Sequence, residues 1–306
     1  MFARMSPLIA IFDQGIVSGS SFVTSVFLGR ICGEEALGLY SLGFTLLILV
    51  RGVQESLVLT PYTIHSAQLP NRRRAAYTGS SLMHGGLAAL ASALVLGVVA
   101  VAISRSIDSP RLAPVLGMLA ALLPLMLLRE CARKFLFAEL HVGRALLFDA
   151  AVAGGQLALI GWLSATARLS AVTALAAMGA ACGLAAFAWL VASRHRLRMR
   201  RRSVVADWGR NWLLGRWIFA EHVCGIANAY SPYWLLALWL GPAATGEFAA
   251  AMTIVLLSNP FIIGLGNLLG PLTARAFAAG GVTEYVLQRG ASSDPGLQRR
   301  RRSQGP

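Results

Sequence analysis

Long apolar stretches separated by short polar ones run along the whole chain. Each stretch approaches or exceeds the roughly 20 residues that a helix needs to cross a bilayer. The stretches lie at residues 7–29, 38–61, 79–104, 112–128, 145–165, 170–193, 217–240 and 246–273. They are continuous rather than alternating, unlike the strands of membrane barrels, which have about 10 residues. The pattern predicts an all-α fold, a polytopic bundle of about eight transmembrane helices.

Composition supports a membrane protein. Of the 306 residues, 56% are hydrophobic and 13% are charged, and the mean hydropathy is +0.64. Soluble domains carry about 25% charged residues. The formal net charge of +14 would on its own suggest a nucleic-acid partner. The basic residues fall in short tracts between the apolar stretches, so we expect surrounding membrane lipids and no nucleic acid.

The basic residues also predict an orientation. Of the 27 basic residues, 22 fall in the N-terminus, in 62–78, 129–144 and 194–216, and after residue 273. The intervening segments carry four. This asymmetry predicts a multi-pass protein of the cell membrane with both termini in the cytoplasm. The densest tract, RHRLRMRRR at 194–202, has two interpretations: a topology anchor, or a site for anionic headgroups or pyrophosphate.

Patterns typical of enzymes and cofactor sites are missing from the sequence. The four cysteines have no CxxC spacing, and the five histidines have no ligand spacing. No phosphate-binding loop, nucleophile elbow or dinucleotide fingerprint occurs. We therefore expect no metal, no cofactor, no self-contained ATPase and no enzymatic activity.

A weak internal repeat appears when the chain is shifted by 208 residues. GEEALGLYSLGFT (33–45) then lies over GPAATGEFAAAMT (241–253), with identities at both leading glycines, at Gly38 and Gly246, and at two further positions. Transporters are commonly built from two such repeats, with the substrate between them. The predicted organisation is a six-helix half at 1–193, a basic cytoplasmic linker at 194–216, the first two helices of a second half at 217–273, and a polar cytoplasmic tail at 274–306.

Three stretches resemble one family of transporters. DQGIVSGSSFVTSVFLGRICGEEALGLYSLGFTLLILVRGVQESLVLTPY (13–62) resembles the opening hairpin of O-antigen-flippase-like polysaccharide biosynthesis proteins of the multidrug/oligosaccharidyl-lipid/polysaccharide (MOP) exporter superfamily. LLRECARKFLFAELHVGRALLFDAAVAGGQ (127–156) and PFIIGLGNLLGPLTARAFAAGG (260–281) resemble later parts of that family. The residues that carry the resemblance are Asp13, Gln14, Ser18, Gly19, Phe22, Arg30, Gly38, Tyr40, Pro61, Arg129, Arg133, Phe137, Arg144, Asp149, Asn267 and Pro271.

The resemblance implies a flippase that moves a lipid-linked oligosaccharide, or exports a polysaccharide precursor, across the cytoplasmic membrane by alternating access. It also implies association with other proteins of polysaccharide assembly. The family usually has twelve to fourteen spans, so the resemblance implies a chain truncated at its C-terminus.

Polar side chains inside the predicted spans are the candidate binding residues, because charge at bilayer depth is costly unless it is paired or hydrated. The hypothetical substrate site comprises Asp13, Gln14, Ser18, Arg51, Glu55, Arg129, Glu221 and Asn228. The arginines would meet a pyrophosphate, and the uncharged groups and Asp13 would meet sugar hydroxyls or couple to ions. The alternative is structural: Arg51 and Glu55 are spaced to pair along one helix face, and Asp13 orders the first helix.

Three other functions stay open at this point. A multidrug or cation antiporter of the same superfamily would share the fold. A membrane enzyme of surface-polysaccharide assembly would be expected to have large outward loops, which this chain lacks. The chain could also be a non-functional remnant of a longer transporter.

Overall fold

The computed structural model describes residues 2–105, 111–194, 201–255, 263, 266 and 269–275. Those residues are helical with short connections. The elements are α1 (Phe2–Gln54), a single π-helical turn (Glu55–Leu59), α2 (Thr60–Gln68), α3 (Asn71–Ser104), α4 (Leu112–Ala138), α5 (Val142–Ala165), α6 (Ala171–Ser193), α7 (Arg201–Trp239) and α8 (Pro242–Val255). The all-α prediction is confirmed.

Within this described part, five helices are long and apolar enough to cross a membrane: Ile11–Gln68, Arg73–Ser104, Leu112–Ala138, Val142–Ala165 and Ala171–Ser193. The first has 58 residues, a length of roughly 87 Å at 1.5 Å per residue, and accommodates two predicted spans. α7 is interrupted by polar side chains such as Glu221 and Asn228, and α8 is described only to Val255. The predicted span 246–273 therefore lies partly outside the described residues, as does most of the tail.

Gly33 divides α1 into a first arm (residues 2–32) and a second arm (residues 34–54). Its φ of 84° lies in the left-handed region, which glycine adopts without the steric cost that other residues have there. The second arm continues through the π-helical turn into α2 without a loop. The predicted hairpin between the first two spans is thus a sharp turn at one glycine.

The helices extend beyond the predicted spans at the end that the charge distribution assigns to the cytoplasm. α3 begins at Asn71 rather than 79, and α4 ends at Ala138 rather than 128. The segment 129–144, predicted as a loop, is therefore largely helix. Arg129, Arg133 and Lys134 belong to α4, so they are not loop charges. The remaining basic residues still strongly favour assigning this end of the bundle to the cytoplasm.

The segment 201–216, predicted as a linker, is the first part of α7 and packs on α3. Tyr77 donates a hydrogen bond to Asn211, and a ring nitrogen of His84 donates to the carbonyl of Val204 over 3.0 Å. The His84 ring also meets Trp208 edge-on, 5.2 Å between centroids. No helix boundary falls at residue 217, and the division into two halves stays a prediction.

The second arm of α1 lies unusually close to α8. A Cβ on Gly38 would lie 1.8 Å from the carbonyl oxygen of Pro242, and a Cβ on Gly246 would lie 2.0 Å from that of Glu34. Both positions therefore require glycine for this packing. Small residues allow such close approach of membrane helices.

The apolar core lies among α1, α3, α4 and α6, around fully buried leucines such as Leu28, Leu119 and Leu175. The outer face of α3 presents Leu90, Leu94 and other large apolar side chains outward. Such a surface is stable where lipid covers it. The bundle is therefore that of a multi-pass membrane protein.

Candidate functional site

A buried network of charges connects three helices. Arg129 and Arg133 are four residues apart, so they share one face of α4. Both donate to the carboxylate of Asp149 on α5, one to each oxygen. Arg133 also donates to Asp13 on the first arm of α1, at 2.7 Å, and to Gln14, at 3.2 Å. Side chains that are far apart in sequence therefore meet around Asp149, which is fully buried.

Glu130 extends this network to the second arm of α1. One of its oxygens accepts from Arg129, and the other lies 3.0 Å from Nη2 of Arg51. The network then holds three arginines and three carboxylates, so its formal charges balance. A buried ion is tolerated only when its partners compensate the loss of hydration, and each of these carboxylates has an arginine partner.

A small cavity of about 80 Å³ lies against the network, lined by Arg51, Arg129, Glu130 and Asp149 together with Gln156 and apolar side chains. One buried water needs about 10–15 Å³ of such space, so the cavity has room for several. Gln156, which lines the cavity, donates a hydrogen bond to the hydroxyl of Thr24 over 2.9 Å. Oδ1 of Asp13, also buried, has no hydrogen-bond partner among the described residues.

A larger cavity of about 280 Å³ lies between the two arms of α1, α7 and α8. We call it the central cavity. Its walls combine hydroxyl-bearing side chains and tyrosines with apolar side chains, among them Phe22 and Phe44. The polar lining residues are Gln14, Ser18, Ser21, Ser25, Tyr40, Ser41, Thr45, Arg51, Tyr230, Tyr233 and Thr253. Arg51 is the one charged side chain in this lining, as far as the described residues go.

Arg51 belongs to both cavities and connects them. Its side chain is 40% exposed, whereas that of Glu130 is 10% exposed. Glu130 is shared with Arg129, so it compensates Arg51 only in part. The guanidinium therefore presents positive charge to the central cavity while its other side is held by the buried network.

The expected pairing of Arg51 with Glu55 is wrong. Arg51 pairs with Glu130, and Glu55 pairs with Lys134 and accepts from Thr60 over 3.1 Å. The π-helical turn begins at Glu55. Both partners, Glu130 and Lys134, lie on α4, so pairing across helices replaces the pair expected within one helix.

The structure separates the eight sequence-predicted site residues into three groups. Gln14, Ser18 and Arg51 line the central cavity, and Arg51 is also part of the buried network; Asp13 and Arg129 lie in the network alone; and Glu55, Glu221 and Asn228 belong to neither. Glu221 and Asn228 are exposed on α7. Their role as substrate contacts stays a prediction.

Sequence reasoning did not place four important residues in the site. Arg133 and Asp149 complete the network, and Tyr230 and Tyr233 line the central cavity. Arg133 and Asp149 both carried the family resemblance, and the spacing of the two arginines on α4 could have indicated a shared partner. Nothing in the sequence pattern points to the tyrosines.

No protein-family model matches the chain, and no curated protein matches it. The comparison with solved structures does find matches. A MATE multidrug transporter, DinF-BH, whose structure was solved as a complex, superposes with a TM-score of 0.77 at 13% identity, over 92% of this chain and 66% of the other.

Two further transporters agree. A MOP superfamily transporter from Pyrococcus furiosus, described as having a binding pocket of reverse polarity, gives a TM-score of 0.72 at 14% identity, over 92% of this chain and 66% of the other. An outward-facing MATE family transporter gives 0.71 at 14% identity with the same coverage. The chain thus has the helical fold of MOP-type transporters and spans about two thirds of their length.

Proposed function

We infer that the chain is a membrane transporter that flips an anionic, lipid-linked oligosaccharide across the cytoplasmic membrane by alternating access. Its MOP-type fold is compatible with transport rather than enzymatic catalysis. The choice of substrate depends on the central cavity, and above all on one feature of it: the charge in its described lining is the cation Arg51.

The cavity chemistry suits a sugar joined to a phosphate. Serine and threonine hydroxyls can donate to and accept from sugar hydroxyls. Tyr230 and Tyr233, whose rings lie 5.9 Å apart, add flat amphipathic surfaces. A guanidinium binds phosphate oxygens in a bidentate, charge-assisted manner. Arg51 would hold the phosphate, and Gln14 and Ser18 would contact the sugar.

A multidrug antiporter is the second candidate, and the similarity to MATE multidrug transporters favours it. A cationic drug would be best bound by an unpaired carboxylate. In the described lining of the central cavity there is none, and the nearby carboxylates of Asp149 and Glu130 are paired with arginines. Cavity electrostatics therefore favour the anionic substrate.

Equilibrium binding to the purified chain in detergent tests the proposal. The probes are a short-chain prenyl diphosphate sugar and, as a cation, the ethidium ion. We expect the sugar lipid to bind and Arg51→Gln to weaken its binding by about tenfold or more, since charge-assisted hydrogen bonds contribute about 1.5–3 kcal/mol. Arg51→Lys should retain part of the affinity.

The matched control is Arg168→Gln, which removes a basic residue from an exposed position outside both cavities. Tighter binding of ethidium than of the sugar lipid, unaffected by Arg51→Gln, would support the antiporter instead. Equal weakening by Arg51→Gln and Arg168→Gln would mean that surface charge, not the cavity, attracts the sugar lipid. Cytoplasmic termini and association with proteins of polysaccharide assembly remain part of the proposal.

A further inference from the structure

A third cavity, separate from the two already described, lies where α3, α4, α5 and α6 end on the side predicted to be cytoplasmic. Its volume is about 770 Å³, and we call it the lateral groove. Three of its lining side chains are basic: Arg74 on α3, Arg144 on α5, and Arg275. Aromatic and small apolar side chains line the rest, including Phe148 and Trp189.

The basic part of the groove is held in place without being neutralised. Arg74 donates to the backbone carbonyls of Ser66 and Leu69, at 3.0 and 3.1 Å, and Arg275 donates to that of Ala138, at 2.8 Å. Carbonyl oxygens fix the positions of these guanidinium groups but do not cancel their charge. The guanidinium groups of Arg74 and Arg275 are therefore positioned to bind an anion.

Two other features of the same end add to this positive character. Arg144 is exposed and has no ion-pair partner among the described residues. One carboxylate, Glu139, also lines the groove and offsets part of this charge; it lies 3.1 Å from the ring of His141. His141 precedes α5 without capping it by a side-chain hydrogen bond, and an uncapped helix N-terminus favours negative charge.

The apolar part of the groove opens towards the lipid. Leu147 in its lining is 72% exposed, and Leu184 and Phe187, which lie on α6 outside the lining, are 73% and 66% exposed. The remaining lining on α5 and α6 is mostly alanine, which leaves space beside the ring of Trp189. A free phosphate or nucleotide would leave this surface uncovered, whereas a lipid with an anionic headgroup would cover both parts.

We propose that the lateral groove binds an anionic phospholipid of the cytoplasmic leaflet. Its phosphate lies at Arg74, Arg144 and Arg275, and one acyl chain lies along Phe148 and Trp189. Basic pockets between transmembrane helices on the cytoplasmic side bind anionic headgroups. The site is distinct from the central cavity and does not depend on which substrate the chain transports.

Native mass spectrometry of the purified full chain with phosphatidylglycerol and phosphatidylcholine of identical acyl chains tests the charge requirement. We expect selective retention of phosphatidylglycerol. Arg144→Gln should lower the retained ratio of the two lipids by about fivefold. Arg168→Gln is the control for an exposed arginine elsewhere and should leave the ratio unchanged.

A second measurement locates the acyl chain. Phosphatidylglycerol brominated on its acyl chains should quench tryptophan fluorescence of the chain, and Trp189→Phe, which keeps an aromatic ring against Phe135, should remove part of that quenching. Equal retention of the two lipids would overturn the proposal, as would an equal effect of both arginine variants. Retention of inorganic phosphate, lost in Arg144→Gln, without retention of phosphatidylglycerol would also overturn it.

Discussion

Asp149→Asn is the most informative single change, because this carboxylate is fully buried between two arginines. Asparagine keeps the shape and one acceptor oxygen, but its NH₂ group cannot accept a hydrogen bond from an arginine. Three arginines of the network would then face two carboxylates. The substitution thus leaves an uncompensated cation inside the bundle with little change in volume.

The expected cost follows from this geometry. Breaking a buried pair by removing one partner costs about 3–5 kcal/mol. For a chain of this size that corresponds to a fall in melting temperature of about 10 °C. The exposed pair Arg111–Glu35 supplies the control, since its side chains are 71% and 43% exposed. Glu35→Gln should cost about 1 kcal/mol or less.

A second substitution should restore much of the stability. In Asp149→Asn with Arg129→Met, two complete pairs remain: Arg51 with Glu130, and Arg133 with Asp13. Thermal unfolding of the purified variants in one detergent measures all the differences. Asp149→Asn and Glu35→Gln melting at the same temperature would refute the reasoning, and so would a double variant less stable than either single one.

Three further predictions concern the fold and are measured in the same thermal assay. Gly38→Ala should lower the melting temperature well beyond Gly117→Ala, because the new Cβ meets the α8 backbone at 1.8 Å, whereas position 117 has nothing within 4 Å; equal melting would contradict the close packing. Gly33→Ala should cost about 1–3 kcal/mol, because φ 84° and ψ 178° there form a backbone region that is essentially restricted to glycine, and an unchanged melting temperature would contradict that backbone. Tyr77→Phe should cost about 1–2 kcal/mol by leaving the amide of Asn211 without its donor, and amide exchange in 203–211 should accelerate; unchanged exchange would argue against this contact.

The middle of the fold could be predicted well from hydropathy alone. α5 and α6 lie within a few residues of the predicted spans, because both are predominantly apolar and end at polar turns. Hydropathy does not predict where α4 ends. Its last ten residues include Arg129, Arg133 and Lys134, which a hydropathy average assigns to a loop. Their charges are satisfied by Asp149 and Glu55 from other helices, and pairing across helices cannot be seen in one segment.

The candidate site shows the same limit at the level of single residues. Asp13, Gln14, Ser18 and Arg51 were recognisable as polar groups in apolar stretches, and the structure places each of them at one of two adjoining cavities or in the network beside them. The partner of Arg51 was not recognisable. A helix rule favours Glu55, whereas the structure pairs Arg51 with Glu130 on α4, and a contact between helices cannot be predicted from spacing within one helix.

In the weak repeat at a shift of 208 residues, the matched glycines have matching backbone conformations and contacts. In the described residues, the two glycines with positive φ are Gly33, at 84°, and Gly241, at 88°, and the shift superposes them. The same shift superposes Gly38 on Gly246, and each approaches the backbone of the other's helix within van der Waals distance.

Residues related by a two-fold axis contact each other in this reciprocal way near that axis. Two of the four identities are thus glycine pairs with matching roles, one with positive φ and the other at the close contact between helices. This close helix–helix contact therefore lies where the predicted halves meet, beside the central cavity, so a change in the angle between the second arm of α1 and α8 would alter that cavity.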